Sequence, residues 1–286
     1  MIELRRRWNG FWFRADTALN LAVARLLLAG TSLWIVLSRP ALPSILEFPD
    51  AMWQSVSHER RVRFLLIFSQ STEQILWYSL HVALVLCLLG IMSRWSALVS
   101  GLLLYHFAPL EAIFRGGNPN LFGFTIPCLA LIVVAASASG GGFGHGEESW
   151  QHRWPVAIIE FLLCAMYFFA GYSKLFATGL AWLEPQNIRN TLLAINQTLG
   201  FTGPSLALWI AGHPTLCALL SVAGVGFELT FPAVMISRRA RAVYVPVAIV
   251  FHLLNAIVFR IHFQDMALLL VFVDWRVLTT DRIMRR

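Results

Sequence analysis

The sequence predicts an all-α integral membrane protein: a bundle of about eight transmembrane helices with both termini cytoplasmic. Three observations carry that prediction. Of the 286 residues, 58% are hydrophobic and 13% charged, against roughly 25% charged in an average soluble domain. The apolar runs extend from Thr17 to Val273 and leave no polar half, so residues 1–286 read as a single membrane domain without a large extramembrane part. Finally, the cations stand at the ends of these runs rather than in an aromatic-interleaved patch. The formal charge of +7 therefore points to a lipid bilayer as partner and not to nucleic acid.

Crossing the hydrocarbon core takes about 20 helical residues. The basic stretch Met1 to Arg14 precedes an apolar run from Thr17 to Ser38. That run exceeds the roughly 7–15 residues of a secretory signal core and is interrupted by Arg25, so it is expected to be a retained first span. Charge, proline or glycine bounds the next six, Gln74–Ser93, Trp95–Phe114, Asn120–Ala138, Val156–Leu175, Thr215–Ser237 and Ala242–Ile261. Phe263–Trp275 is the eighth and the shortest.

The connections differ in kind. Ala41 to Glu73 mixes Pro43 and Pro49 with charges and an amphipathic stretch, which suits the outer surface. Gly140 to Arg153 opens on three glycines and carries Glu147 and Glu148, as a flexible cytoplasmic loop does. Glu184-Pro185 is a helix start, and Ile188, Leu192, Ile195 and Leu199 follow at helical spacing, predicting an amphipathic outer helix. With the N-terminus inside, 13 Lys and Arg residues fall on the cytoplasmic side and 8 outside, in the direction of the positive-inside rule.

Ionisable residues within spans are costly in lipid and are candidates for function. Arg25 lies in the first span, Glu160 and Lys174 in the fifth, Glu228 in the sixth and His252 in the seventh, with Asn255 three residues on along the same face. Arg25 is expected to pair with Glu228 or Glu160, and Glu160 to be an interfacial charge near the start of its span. His252 and Asn255 form a hydrogen-bonding face, with no convergent ligands for a metal. The four cysteines are isolated in apolar segments without paired spacing, as packing thiols are.

Lys174 is the most informative residue. The chain uses arginine for every other cationic side chain, and lysine differs in that it can lose its proton when desolvated. Two readings of it stay open: an anchor that snorkels to the outer interface, or a base or carbonyl-reactive amine.

The segment Tyr167-Phe168-Phe169-Ala170-Gly171-Tyr172-Ser173-Lys174-Leu175, with Trp182 downstream, resembles the membrane segment of vitamin K-dependent γ-carboxylase and its bacterial relatives, the HTTM (horizontally transferred transmembrane) family. Asp16 with Arg25, Leu89-Gly90 with Arg94, and Asn118-Pro119-Asn120-Leu121-Phe122-Gly123 match the family in the same order. Glu228, Arg238 with Arg241, and Phe251-His252 with Asn255 continue the series, so the resemblance covers nearly the whole chain.

The resemblance implies that Lys174 is a catalytic base at the outer membrane face, deprotonating a reduced quinone such as vitamin K hydroquinone, with His252 beside it as a hydrogen-bonding residue. Arg25, Asn118, Glu228 and Asn255 are the matched positions on the cofactor side. Two departures stand out: Asn118 replaces a histidine of the carboxylase, and a large substrate-receiving domain after the last span is not expected. Two functions are therefore carried forward. One is a quinol-linked or lipid-ligand-binding modifying enzyme, or a factor acting in maturation of a secreted peptide. The other is a non-enzymatic membrane partner or maturation factor, working beside a co-encoded membrane protein. The expected location is a bacterial plasma membrane.

Overall fold

The structure is a computed structural model that describes residues 2–38, 68–114, 122–137, 148–198, 205–261 and 263–278. Among them every regular element is helical, and a lone β-bridge joins Asp16 to Ser149. Five helices are long and apolar enough to cross a membrane, and residues Thr125–Ala136 form a shorter apolar helix.

The described residues form two compact units, Met1–Ile159 with Val273–Arg286, and Glu160–Phe272. The first begins with α1 (Ile2–Phe13) and α2 (Ala18–Leu37). It continues with α3 (Gln70–Leu89), α4 (Ser93–Phe114) and α5 (Phe122–Ala136). Consecutive members of the α3, α4, α5 series pack together, and α2 lies against both α3 and α5. The expected second span is displaced toward its N-terminal side because Gly90 ends α3 in the left-handed region, at φ 77. Beneath that turn, the buried Arg25 of α2 donates to the carbonyls of Cys87 and Leu88, the latter at 3.2 Å. A helix end leaves its last carbonyls without intrahelical donors, and a cation there also meets the negative end of the helix dipole. Arg25 therefore works as a capping side chain for the neighbouring helix. A Cβ at position 90 would stand 3.1 Å from its Nη2.

The start of α3 holds a second buried polar pair. Glu73, 1% exposed, accepts the Phe68 N–H at 3.0 Å and binds His106 Nε2 of α4 at 2.7 Å. A third polar cluster closes the unit. Asn20 donates to Asp16 at 2.8 Å and to Asp274 at 3.4 Å, and accepts the Trp275 N–H at 2.9 Å. Arg276 forks onto Asp274 at 2.7 and 2.6 Å, which holds that carboxyl down at about 2. Arg153, expected in a cytoplasmic loop, is instead buried in the first turns of α6 and donates to the Phe11 carbonyl at 2.9 Å.

The long helix α6 (Trp150–Thr178) runs on from the first unit to the second. At 29 residues it measures about 43 Å, longer than the roughly 30 Å hydrocarbon core. It starts six residues ahead of the expected fifth span, so Glu160 falls well inside it. The second unit continues through a 3-10 turn (Gly179–Leu183), α7 (Pro185–Thr198) and α8 (Leu206–Ala211), then α9 (Pro214–Thr230). The expected amphipathic helix is α7, which packs on α8 and α9 through Leu192, Ile210 and Cys217. Proline lacks the N–H a helix interior needs, and the expected sixth span is interrupted at Phe231-Pro232 before the short α10 (Ala233–Ile236). Ser237 caps α11 (Arg238–Val258) by accepting from the Ala240 N–H at 3.4 Å.

The expected eighth span is not an α-helix. Residues Gln264–Phe272 and Trp275–Leu278 form 3-10 helices. Thirteen residues would span only about 20 Å as an α-helix, whereas the 3-10 form rises about 2.0 Å per residue.

Candidate functional site

In the second unit, one face of α6 carries the candidate chemistry. Tyr167, Gly171 and Lys174 recur at i, i+4 and i+7, so they line up along one side of the helix. That side meets α9. A Cβ on Gly171 would stand 3.0 Å from Glu228 Cβ, 3.0 Å from Leu229 Cγ and 3.1 Å from the Leu229 backbone nitrogen. Only a residue without a side chain permits this approach of two apolar helices, the small-residue packing common in membranes. One turn further on, Lys174 Nζ reaches both oxygens of Glu228, at 2.5 and 2.6 Å.

The pair is unequally open. The Lys174 side chain is 28% exposed and that of Glu228 is 7%. Above the ammonium lies the Trp182 ring, with its centroid 5.8 Å from Nζ. Trp182 belongs to the 3-10 turn, which is tied down by the Ser221 hydroxyl of α9 donating to the Trp182 carbonyl at 2.7 Å. Lys174 thus has a carboxylate behind it and an aromatic face beside it. A flanking side of α6 carries a stacked ladder of exposed rings, Phe168, Tyr172 and Phe176, spaced 6.2 and 5.5 Å between centroids.

Two turns before Lys174, Tyr167 is buried and its hydroxyl shares a hydrogen bond with His252 Nε2 of α11. Tyr167 stacks on Phe231 at 4.0 Å, and His252 lies against Phe263 at 4.5 Å. The other ring nitrogen of His252, Nδ1, is buried and has no hydrogen-bond partner among the described residues. Phe227 of α9 and Phe231 just after it surround Tyr167 on either side of Glu228 in the chain.

The sequence-derived residues separate accordingly. Lys174 and Glu228 are brought into direct contact, and His252 meets the same face of α6 through Tyr167. Asn255, one turn after His252, donates to the Phe251 carbonyl of its own helix at 2.9 Å. Arg25 belongs to the first unit and caps α3, and the two carboxylates expected as its alternative partners are bound otherwise, Glu228 by Lys174 and Glu160 by Arg241. Asn118 lies outside the described residues. Glu160, expected as an interfacial charge, is 1% exposed, and Arg241 of α11 forks onto it at 3.1 and 3.3 Å. The same guanidinium donates to the Phe272 carbonyl at 3.3 Å and lies over the Phe272 ring. Tyr167, Gly171 and Arg241 were not singled out as site residues from the sequence. The helical recurrence of 167, 171 and 174 is the signal that marks the first two.

No curated protein and no solved structure matches the chain. A family model described as the HTTM domain matches residues 13–275, nearly the whole length. Taken with its apolar spanning helices, this match makes the chain an integral membrane protein that belongs to the HTTM domain family.

Proposed function

We propose that this protein is a membrane-embedded modifying enzyme that acts on a lipidic ligand bearing a weakly acidic hydroxyl, with the Lys174–Glu228 pair as its proton-handling centre. The observation that carries the reading is the pair itself: the chain's single lysine, in a long apolar helix, held at 2.5 and 2.6 Å from a nearly buried carboxylate by the glycine one turn before it.

The donor set fits a reduced quinone. Lys174 presents an amine on the more open side of the pair, Glu228 offers a place for its proton, and the Trp182 ring flanks the amine. When bound, such a group would supply acidic hydroxyls and reducing equivalents. The chain's own part is proton movement. Lys174 gives its proton to Glu228 along their shared hydrogen bond, and the resulting neutral amine accepts a proton from a ligand hydroxyl. The pair then stands as Lys174 ammonium and Glu228 carboxylic acid until Glu228 releases its proton. Arginine cannot take this part, since its pKa above about 12 keeps it charged. His252, hydrogen-bonded to Tyr167, is proposed to orient the ligand. The proposed location is a bacterial plasma membrane, with Lys174 toward the outer side.

A second reading is favoured by the completeness of the Lys174–Glu228 contact. Here the pair only pins α6 to α9 in a non-enzymatic membrane partner or maturation factor. The test is Lys174→Arg beside Lys174→Ala, assayed by turnover of a reduced quinone in bicelles. A pin needs only the positive charge, so Lys174→Arg keeps whatever the wild type does. A base does not survive the change, so Lys174→Arg folds normally and is as inactive as Lys174→Ala. Near wild-type turnover by the arginine variant overturns base catalysis. Absence of any quinol turnover or binding by the wild type removes the quinol reading.

A further inference from the structure

The turn that joins α3 to α4 lies at the meeting point of two apolar grooves that the Lys174 site does not use. One, of about 560 Å³, runs between α4 and α5 and is lined by Arg94, Trp95, Leu98, Ile132, Ala135 and Ala136. The other, of about 520 Å³, runs between α3 and α4 past Tyr78, Val82, Leu86 and Val99. Both fall within the roughly 300–1,000 Å³ of ordinary ligand pockets. Met92 and Trp95 belong to both, so they form a ridge with a groove on either side. Trp95 is 65% exposed and Met92 67%.

Among the described residues, Arg94 is the single charged one lining either groove. It is exposed, and its Nε donates to the Ala135 carbonyl at 3.2 Å, which fixes the guanidinium at the rim of the α4–α5 groove. Its two terminal nitrogens have no partner among the described residues. They therefore present donors in the fork geometry that suits a phosphate. Ser93 adds a hydroxyl on the same rim. Beside an interfacial tryptophan, the ring of which is amphipathic and prefers headgroup depth, this arrangement has a cationic head and two apolar limbs.

We propose that the Arg94 face of α3, α4 and α5 is a binding site for an anionic diacyl phospholipid. Its headgroup phosphate sits on Arg94 and one acyl chain lies in each groove, astride Met92 and Trp95. Charge selects the occupant: a basic residue in a cleft between spanning helices is matched by an anionic headgroup, and the surrounding surface is already apolar. The arginine count puts this end of the helices on the cytoplasmic side, where anionic lipid is abundant. The inference stands apart from the Lys174 reading and uses none of its residues.

The test is lipid retention by the purified full chain, with phosphatidylglycerol against phosphatidylcholine, counted by native mass spectrometry. The wild type should hold phosphatidylglycerol roughly fivefold more strongly, the preference one basic contact gives, and Arg94→Gln should abolish that preference. Ala136→Trp fills the α4–α5 groove without touching a charge and should lower retention of phosphatidylglycerol; it carries the test if Arg94→Gln does not fold. Single-chain lysophosphatidylglycerol should be held more weakly than the diacyl lipid, and excess inorganic phosphate should leave retention unchanged. A wild type without preference for the anionic lipid overturns the site, as does either folded variant that retains wild-type binding. Equal retention of the single-chain lipid, or displacement by inorganic phosphate, overturns the assignment of a diacyl lipid.

Discussion

Replacing Gly171 by alanine tests whether the approach of α6 to α9 is what sets the Lys174–Glu228 contact. In a helix interior the change from glycine to alanine is worth about 1 kcal/mol in favour of alanine. Against this, the new methyl group would meet Glu228 Cβ and Leu229 Cγ at 3.0 Å and the Leu229 backbone nitrogen at 3.1 Å. The last of these cannot swing aside as a side chain can, so the helices must part by a few tenths of an ångström. Overpacking of this kind costs about 1–3 kcal/mol. Gly171→Ala is therefore expected to lie between neutral and about 2 kcal/mol destabilised. Gly226 of α9 supplies the control, since nothing stands within 4 Å of a Cβ built there. Gly226→Ala should gain the full propensity term of about 1 kcal/mol. Thermal unfolding of both variants in one detergent measures the difference, at about 2–4 °C per kcal/mol for a chain of this size class. Gly171→Ala should melt lower than Gly226→Ala by at least about 2 °C and should lose Lys174-dependent activity, which Gly226→Ala retains. Equal upward shifts in the two variants would refute the close approach.

Three other outcomes follow from particular contacts. Gly90→Ala places a Cβ in the left-handed region, at a cost of roughly 1–2 kcal/mol, and crowds Arg25 Nη2 at 3.1 Å; its melting temperature should fall, and an unchanged value would contradict the capping role of Arg25. Asp274 is held at about 2, below the ordinary carboxylate value of about 3.9, because Arg276 donates to it. A depressed carboxyl contributes stability that is complete above its unfolded value and is lost as pH falls toward its folded one. Acid titration of stability should therefore show a component between about pH 4 and pH 2 that Asp274→Asn lacks, and an identical profile in the variant would dismiss it. Reporters fused near Gly144 and after Arg286 should read cytoplasm, and one near Asn190 the outside; an external signal at Gly144 overturns the proposed topology.

What the sequence made legible is what depends on local composition. Apolar runs bounded by charge located the five helices that are long and apolar enough to cross a membrane, because crossing lipid requires length and hydrophobicity within one segment. Lys174 stood out for a similar reason: a lone lysine in a chain rich in arginine is chemically distinct wherever it sits. Its partner did not stand out, since Glu228 is 54 positions away and nothing in the chain says whether Lys174 or Arg25 reaches it. Tyr167 and His252 are 85 positions apart, and their bond depends on how α6 and α11 are set side by side. Arg25 illustrates the limit most clearly. A buried arginine needs acceptors, and carboxylates are the acceptors visible in a sequence; the carbonyls at the end of α3 become acceptors only once that helix has ended at Gly90. Asn255 shares the helical face of His252 by spacing, yet its side chain bonds to its own backbone, an option that spacing does not reveal.

Asn20 bears on how the chain is assembled. Its side chain lies in the first spanning helix, whereas two of the groups that satisfy it, the Asp274 carboxylate and the Trp275 N–H, come 254 and 255 residues later. During synthesis the first helix therefore meets the bilayer with an amide whose distal partners have not yet been made. A buried amide left without its partners is costly, so the nascent helix is least content in lipid early and becomes fully suited to it only once residues 274 and 275 follow. Closure of the first unit is thus deferred until Asp274 and Trp275 have been made, and a stall or truncation before Asp274 should leave a bundle that inserts yet stays open along its oldest seam.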